Sequence, residues 1–327
     1  MNILVTGGAG YIGSICTETL LGSGHDVVVL DNLSTGHEAA VPEGASFVRG
    51  DISDSALVQH TVREHGVEAV LHFAAYSLVG ESMREPTRYF ENNTFGTFRL
   101  LKALQATGVN RFVLSSTAAL FGTPERVPIA EDATVQPESV YGETKYLIER
   151  MLQWYRATTG LGFTTLRYFN AAGASEVLGE DHDPETHLIP LVLKVAAGQR
   201  ENISVFGDDY PTPDGSCIRD YVDVRDLASA HLKAVEALEP GQGNAYNLGS
   251  GAGFSVFEVI DVCRQVTGHD IPVVVTERRP GDPAVLVADS GRITRELGWE
   301  RDHTKLADTV NAAWAWMLKH PHGYDAD

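Results

Sequence analysis

The chain has 327 residues, 43% hydrophobic and 21% charged, with a formal net charge of -19. That length suits about two domains with a large core, and the acidity argues against nucleic acid or anionic lipid as partners. No apolar run approaches the roughly 18 residues of a membrane span and the first strand begins at Asn2, so no membrane association is expected and the expected location is cytoplasmic. Cys16, Cys217 and Cys263 are far apart and odd in number, which indicates reduced, packed thiols; no metal site is expected.

The first strand-like run, Asn2 to Thr6, leads directly into Gly7-Gly8-Ala9-Gly10-Tyr11-Ile12-Gly13 and a helical stretch from Tyr11 to Leu21. Glycines here permit a tight turn, close approach of a pyrophosphate and close packing of helix on strand, with phosphate at the helix N-terminus. Gly7, Gly10, Tyr11, Ile12 and Gly13 are therefore candidate dinucleotide contacts. The second strand, Val27 to Leu30, ends at Asp31-Asn32, where an acid can bond the adenine ribose. Its carboxylate would repel a 2′-phosphate, so the expected cofactor is NAD rather than NADP. Asp51-Ile52 follows a third short strand and can hold the adenine, and Phe73-Ala74-Ala75, after the run starting at Ala69, can line the cofactor cleft.

Asn93 to Thr107 and Tyr141 to Thr159 read as long helices, with a strand from Phe112 to Ser115 between them. This alternation predicts an α/β fold, a Rossmann-type doubly wound parallel sheet with a smaller α/β substrate-binding domain. Residues 1–169 form the expected NAD-binding domain, with a return segment near 221–250, and residues 170–327 mainly the substrate domain.

Tyr141 and Lys145 are four apart and share a helix face. A phenol of pKa about 10 is only about 0.1% ionised at pH 7, and lowering it by roughly three units takes about 4 kcal/mol. An ammonium at about 4 Å supplies on the order of 4 kcal/mol at an effective dielectric near 20. Lys145, helped by a positively charged nicotinamide, is thus expected to make Tyr141 a base, and a hydroxyl among Ser115, Ser116 and Thr117 can relay the proton.

These motifs, with His72-Phe73-Ala74-Ala75, Arg167-Tyr168-Phe169-Asn170, Phe206 to Tyr210, Ile218 to Tyr221, Tyr246 to Gly249 and Arg278-Arg279-Pro280-Gly281-Asp282, resemble the extended short-chain dehydrogenase/reductases over essentially the full length. The UDP-glucose 4-epimerase (UDP-galactose 4-epimerase) family is the nearest likeness. The resemblance implies that NAD takes the hydride from sugar C4 while Tyr141 takes the hydroxyl proton, after which the 4-keto sugar turns over and is reduced on its other face. It implies that Thr117 bonds the 4-oxygen and that Lys145 also holds the nicotinamide ribose, with Asn93, Ser115 and Tyr168 among the cofactor contacts. Asn170, Arg219 and Arg279 would hold the diphosphate, Phe206 and Tyr221 would flank uracil or ribose, and Asp282 would bond a ribose hydroxyl. His187 and Leu188 join this substrate set, and a homodimer through the long helices is implied.

Three positions depart from the family pattern: Ser77 replaces a lysine of some relatives, His187 an asparagine, and Phe121 a tyrosine. Dehydratases and decarboxylases of the same fold carry acids after the strand-end hydroxyls, whereas here Ala118 and Ala119 follow Thr117. Leu286 stands where the family places either a bulky tyrosine or a small residue that admits an N-acetyl group. UDP-glucose and UDP-galactose are the expected pair; the N-acetylhexosamine pair, UDP-glucuronate and UDP-pentoses are the alternatives, ahead of a dehydratase or an NAD-binding sensor.

Overall fold

Ile3, Leu4 and Val5 are fully buried, as a parallel strand covered by helices on both faces requires. In the computed structural model, which describes residues 1–279 and 281–324, they belong to β1 (Asn2–Thr6). The chain continues through α1 (Tyr11–Gly22), β2 (Asp26–Asp31), β3 (Ser46–Arg49), α2 (Ser55–Glu64), β4 (Ala69–His72), α3 (Val79–Arg84) and α4 (Pro86–Tyr89). After a π-helical turn (Phe90–Phe95) come α5 (Gly96–Thr107), β5 (Arg111–Thr117), α6 (Val140–Thr159) and β6 (Gly162–Tyr168). The remainder comprises β7 (Asn170–Ala172), α7 (Leu188–Ala196), β8 (Ile203–Phe206), β9 (Ile218–Asp223), α8 (Val224–Ala237) and β10 (Gly243–Leu248). It ends with β11 (Gly253–Ser255), α9 (Val256–Thr267), β12 (Val273–Thr276), β13 (Val285–Leu286), α10 (Gly291–Leu297) and α11 (Leu306–Lys319).

Seven parallel strands form the main sheet in the order β10-β6-β5-β4-β1-β2-β3. The chain winds outward from β1 to β2 and β3, then restarts at β4 in the opposite direction, which opens a crevice at the carboxyl ends of β1 and β4. One face of the sheet buries Ile3, Val5, Val29 and Leu71 with Leu227 and Ala230 of α8. The other buries Leu4, Leu30, Val70 and Phe112 with Leu100 and Leu104 of α5 and Ile148 and Leu152 of α6. Each such aliphatic side chain contributes about 1.5–3 kcal/mol relative to exposure.

Helix α6 starts where Ser139 accepts a hydrogen bond from Gly142 N (3.1 Å) and stops at Gly160, whose φ of 77° is left-handed. The expected helix from Asn93 to Thr107 begins with the π-helical turn instead, and Asn93 is fully buried within it.

A second sheet is built around β9, which pairs with β7 and β13 in parallel and β11 antiparallel; β8 and β12 form a separate parallel pair. Helices α7, α9 and α11 cover an apolar cluster containing Ile189, Val205, Tyr221, Val259 and Val310. After β9 the chain re-enters the main sheet, laying α8 beside α1 and β10 along β6.

Candidate active site

A Cβ on Gly13 would lie 2.2 Å from Gly7 O, and one on Gly7, whose φ is +74°, would lie 2.5 Å from Ala74 N. These two glycines let the turn close on itself and on the end of β4. A Cβ on Gly10 meets only Gly7 O, at 3.4 Å, so its absence keeps clear the space above the turn rather than space within the protein. No side chain caps α1, whose first amides and positive dipole end face that space. The cradle fits a dinucleotide pyrophosphate.

Asp31 is buried at the end of β2, accepting from Ala9 N at 3.0 Å and from Leu33 N at 2.8 Å. Burial pushes its carboxyl pKa up, against these two hydrogen bonds. The acid thus shapes the turn while keeping lone pairs for a ribose hydroxyl. Asn32 donates to Asp51 at 2.9 Å and Ser53 N donates to the other Asp51 oxygen at 2.8 Å; Ile52 is buried beneath α5. Phe73 N and Ala74 N both donate to Thr6 O (2.8 and 3.0 Å), which seats 73–75 against the glycine turn.

Asn93 is enclosed behind the cleft. Its amide exchanges two hydrogen bonds with Tyr76 (2.9 Å each) and donates to Thr144 Oγ1 (3.2 Å), which ties the 76 loop to α6.

Thr117 closes β5, its hydroxyl accepting from Ala119 N (3.1 Å) and lying beside the phenol of Tyr141. Burial pushes that phenol up to about 12, with the neighbouring Thr117 hydroxyl pulling it part of the way back. Lys145 is buried one turn on, donating from Nζ to Ser115 O at 2.7 Å. Burial lowers its pKa to about 8, opposed by the charge of Glu149. Burial raises the demand above that of an exposed phenol: ionising a phenol of pKa 12 at pH 7 takes about 7 kcal/mol, of which a neighbouring ammonium supplies roughly 4 kcal/mol, leaving a larger share to the nicotinamide charge in the expected scheme. The Ser115 and Tyr168 hydroxyls are hydrogen-bonded to each other beside this pair.

On the other wall, β9 presents Arg219 and Tyr221. Asn170 pairs with Tyr221 in register, which sets its amide beside the buried phenol. Arg219 forms an ion pair with Asp282, and Leu286 of β13 lies opposite it in the parallel register. The Arg279 guanidinium sits 3.9 Å above the Phe206 ring. Pro280, within this motif, lies outside the described residues. Leu188 opens α7, and the ring of His187 before it is held between two carboxylates, Glu180 at 2.8 Å and Glu185 at 2.9 Å. Ser77 is exposed, whereas Phe121 is buried with Leu120 and Ile129 under the Arg167 guanidinium, an apolar niche with no use for a hydroxyl.

Residues 3–249 match the model of the NAD dependent epimerase/dehydratase family. The chain belongs to this family. A UDP-glucose 4-epimerase of Halalkalibacterium halodurans is 52% identical, over 100% of this chain and 98% of the relative. A crystal structure of UDP-glucose 4-epimerase from Brucella ovis in complex with NAD superposes with a TM-score of 0.92 at 45% identity, covering 96% of this chain and 97% of the other. The Bifidobacterium longum enzyme in complex with NAD+ and UDP gives 0.94 at 36% identity, covering 99% and 100%.

Within this epimerase/dehydratase framework the structure adds residues that motif reading passed over. Glu149 accepts from Ser116 Oγ (2.6 Å) and takes both Nε and Nη2 of Arg167 (3.0 and 2.6 Å), all in the interior. It stands four residues after Lys145, so Tyr141-Lys145-Glu149 was a readable i, i+4 series. His72 is clamped between Thr6 Oγ1 (2.6 Å) and Thr97 Oγ1 (2.8 Å), and burial lowers its pKa to about 3, leaving it neutral below the cofactor turn.

Proposed function

We propose that the chain interconverts UDP-glucose and UDP-galactose by oxidation and re-reduction at C4, with NAD as its resident cofactor. The observation that carries this is the placement of the Tyr141 phenol beside Thr117 at the end of β5, with Lys145 one turn behind it, donating to Ser115 O at 2.7 Å, and Ala118 and Ala119 following Thr117. One base is placed at one oxygen, and no carboxylate stands in the 117–120 segment to act in elimination.

The glycine turn and Asp31 would hold the two ends of the ADP portion. When bound, NAD supplies the acceptor and donor of the C4 hydride and a positive ring charge that favours the phenolate. Tyr141 takes the 4-hydroxyl proton in the first half of the cycle and returns it in the second, while Thr117 holds the 4-oxygen. Lys145, anchored on Ser115 O, sets the charge behind the phenol and reaches the nicotinamide ribose. Arg219, Arg279 and Asn170 meet the diphosphate, which suits an acidic protein that must supply positive charge locally. Phe206 and Tyr221 flank the uridine and Asp282 its ribose. Leu286 packs with Ala118, Phe121 and Phe169, next to the strand-end hydroxyl, and limits the sugar pocket. Two copies pair through α5 and α6, a reading supported by the exposed Phe95, Phe98 and Trp154.

Purified protein incubated with UDP-galactose and no added NAD is expected to form UDP-glucose to an equilibrium mixture, followed by NMR. Absence of conversion even with added NAD would overturn the reading.

A further inference from the structure

Between β7 and α7 the sequence carries a repeated pair, Glu180-x-His182 and Glu185-x-His187, of which only His187 is among the residues expected to contact substrate. The loop folds the two pairs onto each other. His182 Nδ1 lies 3.1 Å from Glu180 Oε1 and 3.7 Å from Glu185 Oε2, and His187 Nδ1 lies 2.8 Å from Glu180 Oε1 and 2.9 Å from Glu185 Oε1. All four donor atoms fall within 4.8 Å of one another. The two carboxylates are almost wholly enclosed, at 7% and 3% side-chain exposure.

We propose that Glu180, His182, Glu185 and His187 form a binding site for a divalent transition-metal ion, zinc by preference. A four-coordinate zinc with bonds of about 2.0–2.1 Å needs donors roughly 3.3–3.4 Å apart, and the observed separations bracket that spacing. Two imidazoles and two carboxylates are a borderline-soft N/O set, suited to zinc rather than to calcium or magnesium. The 3.7 Å separation of His182 Nδ1 from Glu185 Oε2 is too long for a hydrogen bond but normal for two ligands of one ion.

The two imidazole rings lie with centroids 5.3 Å apart, both turning Nδ1 toward the carboxylates. One divalent cation held by two neutral imidazoles and two carboxylates leaves the cluster without net charge. Glu185 is pre-oriented, its Oε1 accepting from Thr186 N (2.6 Å) and His187 N (2.7 Å). Of the other charged or titratable groups nearby, Asp223 is taken by Arg225 and Thr309, Asp181 by Tyr324 N and His37, and Tyr11 donates to Gly173 O at 2.7 Å. None of these completes or competes for the four-donor set.

The ion would be positional. His182 packs edge-on against Tyr11, the first residue of α1, at 6.1 Å, and His187 caps α7. Metal binding therefore fastens the segment leading to Leu188 onto the helix behind the glycine turn. That positional role rests on the function proposed above; the metal site itself does not.

The test is zinc stoichiometry on the full-length protein without UDP-sugar, so its outcome is separable from turnover. After chelation and dialysis against micromolar zinc, one zinc per chain is expected, with Kd below about 1 µM. His182→Asn and Glu185→Gln should lose it, and His60→Gln, which removes the exposed His60–Glu64 pair, should keep it. Co2+ should give the visible d–d bands of a four-coordinate ion in the wild-type protein, a readout that stands even where a variant fails to fold. Wild-type protein that retains no zinc, or zinc retained equally by the His182 and Glu185 variants, would overturn the proposal.

Discussion

The ammonium of Lys145 donates to the backbone carbonyl of Ser115 at 2.7 Å, fastening α6 to the end of β5 at the point where Thr117 and Tyr141 meet. A buried charge held by a carbonyl is expensive, and its retention marks a site where stability gives way to chemistry. Lys145 has a pKa of about 8 in the fold against 10.5 when exposed. At pH 7 both states bind the proton, but the folded one binds it more weakly, which costs up to about 3 kcal/mol. Between pH 8 and 10.5 only the unfolded chain keeps the proton, so stability rises with pH across that window.

Lys145→Met should therefore be more stable than wild type at pH 7, by about 1–3 kcal/mol in urea unfolding before NAD is added, while turnover of UDP-galactose falls by about 100-fold or more. The stability gain should fade toward pH 10.5. A variant less stable than wild type at pH 7 would contradict this account of the site.

His231 of α8 is buried against Phe73 and Tyr168, with Nδ1 2.8 Å from Leu227 O and Nε2 without a hydrogen-bond partner. Burial lowers its pKa from 6.5 to about 4, so on acidification the unfolded chain takes up a proton first and the fold loses stability between those values. At pH 5 the loss is about 2 kcal/mol relative to pH 7. His231→Phe should remove this component, narrowing the fall in urea-unfolding stability between pH 7 and pH 5 by that amount; parallel pH profiles for the two proteins would rule it out.

Arg219, two-thirds of the way along the chain, is held by Asp282 and faces the proposed diphosphate position. A charge-assisted hydrogen bond of about 1.5–3 kcal/mol corresponds to roughly 10–100-fold in affinity. Arg219→Met is expected to raise KM for UDP-galactose by about that factor and change kcat much less. An unchanged KM with a collapsed kcat would move Arg219 from binding to chemistry.

Leu286, partly buried, packs against the apolar cluster that holds Ala118 and Phe121, so added bulk there is expected to narrow the proposed sugar pocket. Leu286→Tyr is expected to depress conversion of UDP-GlcNAc relative to UDP-glucose by about 10-fold or more, measured as the ratio of kcat/KM values. An unchanged ratio would place the 2-substituent elsewhere in the pocket.

The features legible in the sequence are those written locally. The glycine turn announces itself because strand, turn and helix are contiguous from Asn2 to Gly22, and Tyr141 and Lys145 because one helical turn separates them. A return of the chain is expected near 221–250; Tyr221 lies in β9 of the second sheet, and α8 and β10 after it pack on the main sheet. What escaped depends on distance or on hydrogen-bond accounting. Asn93 enters the cofactor set through the family resemblance, and its hydrogen bonds to Tyr76 and Thr144 cannot be read from the sequence. His187 is expected to contact substrate and Glu180 carries no expectation; the fold brings the two within 2.8 Å. The demand placed on the charges around Tyr141 is not visible either, because spacing carries no information on burial, which pushes its pKa up to about 12.

Strand β10 shields the flank of β6 along six paired positions, from Gly243↔Phe163 to Leu248↔Tyr168. A fragment ending near residue 169 would contain every glycine of the cofactor turn and the whole Tyr141 helix, yet it would leave β6 as a bare, apolar border with Leu166 and Tyr168 uncovered by α8. Such a fragment should associate edge to edge instead of standing as a working half. Any splitting or permutation of this protein has to keep residues 224–248 with the amino-terminal part.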